Sequence, residues 1–360
     1  MTDTLLVNGG KLDSAGTRMT SSEKPKIMKL SIVILCWNDL KVIRDCLASI
    51  YAETREIEFE TIVCDNGSTD GSIEAIRREF PQVRLIENGK NLRFAKGNNA
   101  GIEASRGEYV LILNPDTIMH DGALGKMVAY ADRHPEGGAF GCKVVFADGA
   151  FQRCMRPLPT PRAEWFAALR LGWLARVGEW LHAGEYTGWN GENERTVGWL
   201  AGCFILTRGE LLKKVGGFDP QFFYYFEDTD LCQKIWRAGY KVLYTPEATI
   251  THLLGQSTNK RFKPLGFALD GQVTRYLYFY KYYGAKGVRS CHRATLTGLM
   301  LRRAGYALMQ MVVPNTERKH RQEVLRALYE WNCRVDPVRL AEYGEEPALD
   351  AKPMDRVIER

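Results

Sequence analysis

Short apolar runs that stop at a polar or acidic cluster and give way to helical spacing constrain this chain more than any other feature. Residues 29–36 (KLSIVILC) are such a run, rich in β-branched side chains; Trp37, Asn38 and Asp39 follow, and then Val42, Ile43, Cys46, Leu47 and Ile50 recur at helical spacing. A continuous apolar run suits a strand covered on both faces, and the spacing after it suits an amphipathic helix. The pattern returns as a strand at 59–64, a loop at 65–71, a helix at 72–80 and a strand at 83–87. This alternation predicts an α/β fold with a mostly parallel central sheet flanked by helices and joined by right-handed crossovers. A helix at 98–105 and a strand at 108–113 follow, the strand ending at Asn114, Pro115 and Asp116. Open α/β sheets collect ligands at the carboxyl ends of their strands, which puts Asn38, Asp65 and Asp116 on one rim.

Residues 151–195 change character, with Pro157, Pro159 and Pro161 ahead of Trp165, Trp173, Trp180 and Trp189, and read as an inserted helical or lid-like segment bordering an acceptor cleft. A strand at 197–207, a helix at 209–215, an aromatic and acidic run at 222–230, a helix to 238 and a strand at 240–244 complete the periodic part, with no internal repeat. The polar residues 1–28 contain no apolar core of a signal peptide and read as a flexible leader.

Composition narrows the class. With 45% hydrophobic and 26% charged residues among 360, collagenous, coiled-coil and wholly disordered chains are excluded. The net charge of +6 fits an anionic ligand or a membrane surface and gives no reason to expect nucleic acid. Nine scattered cysteines without a CxxC pair suit reduced thiols in the cytoplasm. The apolar stretch at 296–313 is interrupted by Arg302 and Arg303; a central arginine costs about 2.5–3.5 kcal/mol on insertion, so no transmembrane helix is expected. Residues 271–326 hold 11 Lys and Arg against Glu317 and Glu323. This helical tail could make peripheral contact with the inner face of the cytoplasmic membrane, or serve as a solvated cap or an oligomer contact.

Neither a GxGxxG fingerprint, nor a P-loop, nor a GxSxG elbow is present, so a nucleotide on this sheet has to be gripped by carboxylates and a metal. The Asp65 to Asp70 hexapeptide (DNGSTD) suits a turn, and equally suits a carboxylate accepting hydrogen bonds from a base or ribose. Asp116 after Pro115 is either a structural turn or an oxygen ligand for Mg2+ or Mn2+. In FFYYFEDTD (222–230) three carboxylates stand behind five aromatics. They favour a helix start, or an aromatic wall desolvates one of them and raises its pKa towards that of a general base. His252 is either structural or the neutral imidazole completing a metal site begun by Asp116.

Together SIVILCWN (31–38), VCDNGSTDGS (63–72), NLRFAKGNNAGI (91–102), YVLILNPDT (109–117), GWLAGCFILTR (198–208) and VGGFDPQFFYYFEDTDLCQKIWRAGY (215–240), with the His252 segment, resemble the family-2 inverting glycosyltransferases of GT-A fold, rhamnosyltransferase-like branch. The resemblance covers roughly 29–260 and implies a nucleotide-sugar half at 29–120 and an acceptor half at 121–260; the 151–195 insertion and a helical C-terminal extension at 261–360 lie outside it. It implies donor contacts at Cys36, Asn38, Asp65, Asn91, Lys96, Asn98, Asn114 and Asp116, and acceptor contacts at Trp199, Gly202 and Glu227. It further implies a Mg2+ or Mn2+ site at Asp116 and His252, and Asp228 as catalytic base with Glu227 beside it. Asn114 stands where many members have aspartate, leaving one negative charge fewer for the ion; Asp230 is the candidate helix cap.

The implied reaction transfers rhamnose or a related hexose from a nucleoside-diphosphate sugar, dTDP-rhamnose or a UDP-sugar, to a hydroxyl of a cell-surface glycan or polyprenyl-linked acceptor, with inversion. Two rivals stay open: a silent nucleotide-sugar-binding module, and a nucleotidyltransferase that releases pyrophosphate.

Overall fold

A computed structural model describes residues 28–171, 186, 188–223, 225–253, 264–312 and 316–343. The expected leader up to residue 27, Trp173 and Trp180 of the insertion, Tyr224 and the tail beyond 343 lie outside the described residues.

The first half alternates as its apolar runs dictate: β1 (Leu30–Cys36), α1 (Leu40–Glu53), β2 (Phe59–Asp65), α2 (Ser72–Glu79), β3 (Arg84–Glu87), α3 (Arg93–Ala104) and β4 (Tyr109–Leu113). Then come β5 (Thr117–Met119), α4 (Ala123–Arg133), β6 (Gly137–Val145), β7 (Met155–Arg156), α5 (Pro161–Ala168), β8 (Arg195–Thr196), β9 (Trp199–Leu200) and β10 (Phe204–Arg208). The chain continues through α6 (Gly209–Lys214), α7 (Glu227–Arg237) and β11 (Lys241–His252) to three helices, α8 (Pro264–Val312), α9 (Thr316–Arg334) and α10 (Pro337–Tyr343).

The main sheet runs β3-β2-β1-β4-β10-β6-β11-β5, with β8 on β11. The β3, β2, β1 and β4 strands are parallel, as is β6 beside β11, while β10 runs antiparallel between β4 and β6. The expected mostly parallel sheet is therefore present, with β10 reversed near its centre and β5 and β8 antiparallel to β11. Alternate residues serve its two faces: Leu30, Ile32 and Ile34 join one core, Val33 the other. A third core, built on Phe222, Tyr276, Tyr278, Phe279 and Trp331, joins the C-terminal helices to the aromatic run.

Three expectations are corrected. The single strand at 197–207 is two: a turn in which Phe204 N–H donates to the Ala201 carbonyl at 3.3 Å separates β9, which pairs with β7, from β10. The last strand does not stop at 244 but continues to His252, because Pro246 falls within a register irregularity between Tyr244 and Thr249, where no ladder donor is needed. Helix α3 starts at Arg93 rather than 98. All nine cysteines are free.

Candidate active site

The parallel register aligns Cys36 with Asp65 and Ile34 with Leu113, so the loops after β1, β2 and β4 leave from one edge. Asp65 is buried; its Oδ2 accepts from the N–H groups of Gly67 at 2.8 Å and Ser68 at 3.0 Å, forming the turn that the sequence suits. Its Oδ1 is buried without a hydrogen-bond partner, an acceptor suited to a donor from outside the chain. Asn38, at φ 57°, accepts the Thr69 N–H at 2.6 Å and donates its own backbone N–H to Ser68 Oγ at 2.8 Å, clamping the first two loops together. Burial and the nearby Asp39 and Asp65 carboxylates push the Cys36 thiol up to about 12, so it stays neutral.

Asn66 extends this rim. Its amide donates to Asn91 Oδ1 at 3.3 Å and to the Arg93 carbonyl at 3.2 Å, bringing Asn91 beside the Asp65 turn. Asn98 is fully buried, donates to the Phe94 carbonyl at 3.0 Å and leaves its Oδ1 without a partner, whereas Lys96 is exposed on α3.

After β4, Asp116 and His252 are both buried, with Oδ1 and Nε2 3.1 Å apart, and Asn114 Nδ2 lies 3.4 Å from the same nitrogen. Burial disfavours the His252 imidazolium, but the Asp116 carboxylate and Cys203 outweigh it and raise the pKa. The other ring nitrogen faces the Gln152 side-chain amide at 3.1 Å, an orienting partner that sequence reasoning missed. Cys203 is next to this pair, but its hydrogen bond with Cys154 and burial push its thiol well up, leaving it a poor ligand. Among the described residues no group of three or more His, Cys, Asp or Glu could hold a metal. A carboxylate, an imidazole and the Asn114 amide nevertheless suit a Mg2+ or Mn2+ ion that takes its remaining ligands from water and substrate phosphate.

Glu227 and Asp228 open α7 immediately after Tyr225 (φ 63°) and Phe226 (φ 67°), two successive non-glycine residues in the left-handed region. Each such residue costs about 1–2 kcal/mol, and the turn is braced by Phe226 packing on Tyr278 of α8 at 5.3 Å between ring centroids. Asp228 Oδ2 accepts the Gly202 N–H at 3.2 Å, and Oδ1 accepts the Thr229 N–H at 2.7 Å. Burial raises the Asp228 pKa against these bonds; burial and the Asp228 charge raise Glu227 further, and one Glu227 oxygen is buried without a partner. The pair titrates jointly, both carboxyls pushed up by burial and Glu227 also by the Asp228 charge.

The turn between β9 and β10 carries two of the contacts between these clusters. Cys203 accepts the Asn114 N–H at 3.1 Å, and its neighbour Gly202 donates to Asp228, so two consecutive backbone groups link the Asp116 turn to the carboxylate pair. A Cβ at Gly202 would meet Phe94 Cζ at 2.8 Å, so a side chain there would have to displace the Phe94 ring. Trp199 is half-buried on β9, three residues before this contact. Asp230 caps nothing: it is fully buried, and its Oδ1 lies 2.7 Å from Lys281 Nζ and 2.6 Å from the Tyr282 hydroxyl, tying α7 to α8.

A family model described as glycosyl transferase family 2 matches residues 31–216, more than half of the chain. The chain belongs to glycosyl transferase family 2. Within the family segment lie Cys36, Asn38, Asp65, Asn91, Lys96, Asn98, Asn114, Asp116, Trp199 and Gly202; Glu227, Asp228 and His252 follow it. An N-acetylglucosaminyl-diphospho-decaprenol L-rhamnosyltransferase from Mycobacterium tuberculosis is 32% identical over 231 residues, which are 59% of this chain and 72% of that protein. An O-antigen biosynthesis protein from Myxococcus xanthus is 28% identical, covering 62% of this chain and 17% of the relative. A mannosyltransferase from Pyrobaculum calidifontis, solved in complex with GDP-Man and Mn2+, shares the fold at a TM-score of 0.51 and 16% identity, covering 89% of this chain and 88% of that one. The fold is thus that of the GT-A glycosyltransferases, as the sequence motifs imply.

Proposed function

We propose that this family-2 member transfers rhamnose or a related hexose, with inversion, from a nucleoside-diphosphate sugar to a hydroxyl of a polyprenyl-linked or glycan acceptor. The observation carrying this reading is the position of Asp228: a desolvated carboxylate of raised pKa, held by Gly202, two backbone groups from the turn that carries Asp116. The rhamnosyltransferase relative supports rhamnose as the sugar and a lipid-linked acceptor.

Asp65 and its free buried oxygen receive a donor from the base or ribose, with Asn38 fixing the loop geometry and Asn91, Asn98 and Lys96 along the same pocket. Asp116 and His252, with Asn114, hold Mg2+ or Mn2+, which when bound supplies positive charge against a departing diphosphate. Glu227 retains its proton, keeping the pair at one negative charge and leaving Asp228 ionised. Asp228 takes the proton from the acceptor hydroxyl, whose oxygen attacks the anomeric carbon from the face opposite the leaving group. Trp199 and Gly202 border the acceptor side.

Incubation with Mn2+, a set of nucleotide sugars and a short-chain polyprenyl-diphosphate-sugar acceptor tests the reading. Release of nucleoside diphosphate together with a product of inverted anomeric configuration by NMR is expected. Release of pyrophosphate indicates a nucleotidyltransferase, and nucleotide binding without any release across the set indicates a silent module; either contradicts the reading.

A further inference from the structure

Helix α8 is interrupted at Gly284, whose φ of 63° and ψ of −170° set the helical residues before and after it on different axes. The part before the break is tied to the rest of the fold: Arg275 pairs with Glu164, and Lys281 bridges Asp219 and Asp230 at 2.7 Å to each. Two of the basic residues counted in the sequence are therefore paired with acids of the fold. The part after the break is different. Its inner face, with Val288, Cys291, Ala294 and Leu299 at 0–7% exposure, is packed, which fixes the rotation of the helix.

The opposite side carries a stripe at helical spacing, and beyond Leu299 exposure also extends to Arg302 and Met309 on the other side. Lys286, Arg289 and Arg293 are exposed at the start of the stripe; Met300, Leu301 and Leu308 are 53%, 45% and 64% exposed further along. From Ala285 to Val312 there is no acidic residue, and among the described residues none of the three cations on the stripe has an acidic partner. Helix α5 packs on α8 through the Trp165 Nε1 bond to Ser290 at 3.1 Å. Isolated exposed apolar residues are ordinary, but a continuous stripe of them flanked by uncompensated positive charge is not.

We propose that this face of α8 docks on an anionic lipid surface, its apolar half entering the acyl boundary and its basic half lying among the headgroups. A second copy fits less well. Self-association would bring the same cations into a low-dielectric interface that offers no acid from this face to pair them, whereas an anionic bilayer supplies both the charge and the apolar phase. Docking deepens the lipid-linked part of the proposed acceptor but does not depend on Asp228 being the base. Because Lys281 and Tyr282, just before the break, hold Asp230 in the first turn of α7, a membrane-bound α8 is mechanically tied to the helix that carries the carboxylate pair.

The test uses the full chain in flotation with vesicles of phosphatidylcholine alone or of equal parts phosphatidylcholine and phosphatidylglycerol. Wild type is expected to float with the anionic vesicles and not with the neutral ones, and to be released by raised salt. Charge removal in Lys286→Gln/Arg289→Gln/Arg293→Gln should weaken binding about a hundredfold, given roughly 1 kcal/mol per surface cation and 1.4 kcal/mol per decade. Leu301→Glu/Leu308→Glu should abolish flotation while circular dichroism and nucleotide release with a soluble acceptor stay at wild-type level. Equal flotation of all three proteins, or none by wild type, overturns the proposal. So does a wild-type dimer, seen by sedimentation, that Leu301→Glu/Leu308→Glu dissociates without any vesicle binding.

Discussion

Gly202 donates its backbone N–H to Asp228 Oδ2 at 3.2 Å, and the space above its Cα is filled by the Phe94 ring. The carboxylate is therefore positioned by a backbone group at which a side chain would have to displace the Phe94 ring. Gly202→Ala puts a Cβ 2.8 Å from Phe94 Cζ and should displace the turn, lowering kcat about tenfold with little change in donor affinity. Adding Phe94→Leu should recover part of the loss. Steady-state kinetics of both variants, with donor binding followed by calorimetry, checks this.

The raised pKa values give a signed pH prediction. A base must be ionised to work, so activity should fall as pH drops through the Asp228 value, at a pH above the ordinary carboxylate range of about 4. Glu227→Gln should keep this acid limb if, as proposed, Glu227 holds the proton of the pair. For stability, a carboxyl whose folded pKa is raised favours the fold below its unfolded pKa and loses that contribution as pH rises through the folded value. The melting temperature of Glu227→Gln relative to wild type should therefore increase with pH, by about 1–2 °C per 1 kcal/mol relieved. A difference that is flat or falls with pH in scanning calorimetry contradicts the shift.

Gln152 faces His252 Nδ1 at 3.1 Å, and His252 Nε2 is 3.1 Å from Asp116. Partners that orient a metal-binding histidine typically contribute about 10–100-fold in metal affinity. Gln152→Leu should weaken Mn2+ binding in the presence of nucleoside diphosphate by that factor, and Asp116→Ala by more. Mn2+ titrations followed by electron paramagnetic resonance measure both; unchanged affinity in Asp116→Ala would remove the site.

Lys281 holds Asp230 from α8, with Lys234 at 3.8 Å and the Tyr282 hydroxyl sharing the carboxylate. Breaking a buried pair from one side typically costs 3–5 kcal/mol; because these two partners remain, Lys281→Met should cost about 2 kcal/mol. Lys281→Met/Asp230→Asn should cost less than the single change. Urea unfolding of the two variants tests whether the charge left behind, rather than lost packing, is responsible.

The sequence discloses those parts of the molecule whose physics is local. The β1, β2 and β4 runs are legible because each is apolar on both faces and ends at a polar cluster, and this places Asn38, Asp65 and Asp116 on one rim. The turn at Ala201 is not legible: WLAGCFILT is continuous and apolar, and it breaks because β9 finds β7 as a partner instead of continuing beside β4. The strand to His252 is hidden by Pro246, which signals an end unless the neighbouring strand accommodates an irregularity. Gln152 lies 100 residues from His252, and no periodicity reports a contact at that separation. Asp230 suits a cap by its position at the start of α7, but its actual partners, Lys281 and Tyr282, come from another layer of the fold.

The role of Asp228 is tested most directly by Asp228→Asn, a change of one atom that preserves shape and removes the base. Donor affinity should stay within about twofold of wild type, while kcat for sugar transfer falls by about a thousandfold, within the 10²–10⁴ typical of general-base catalysis. Transfer at a rate within tenfold of wild type would contradict the account.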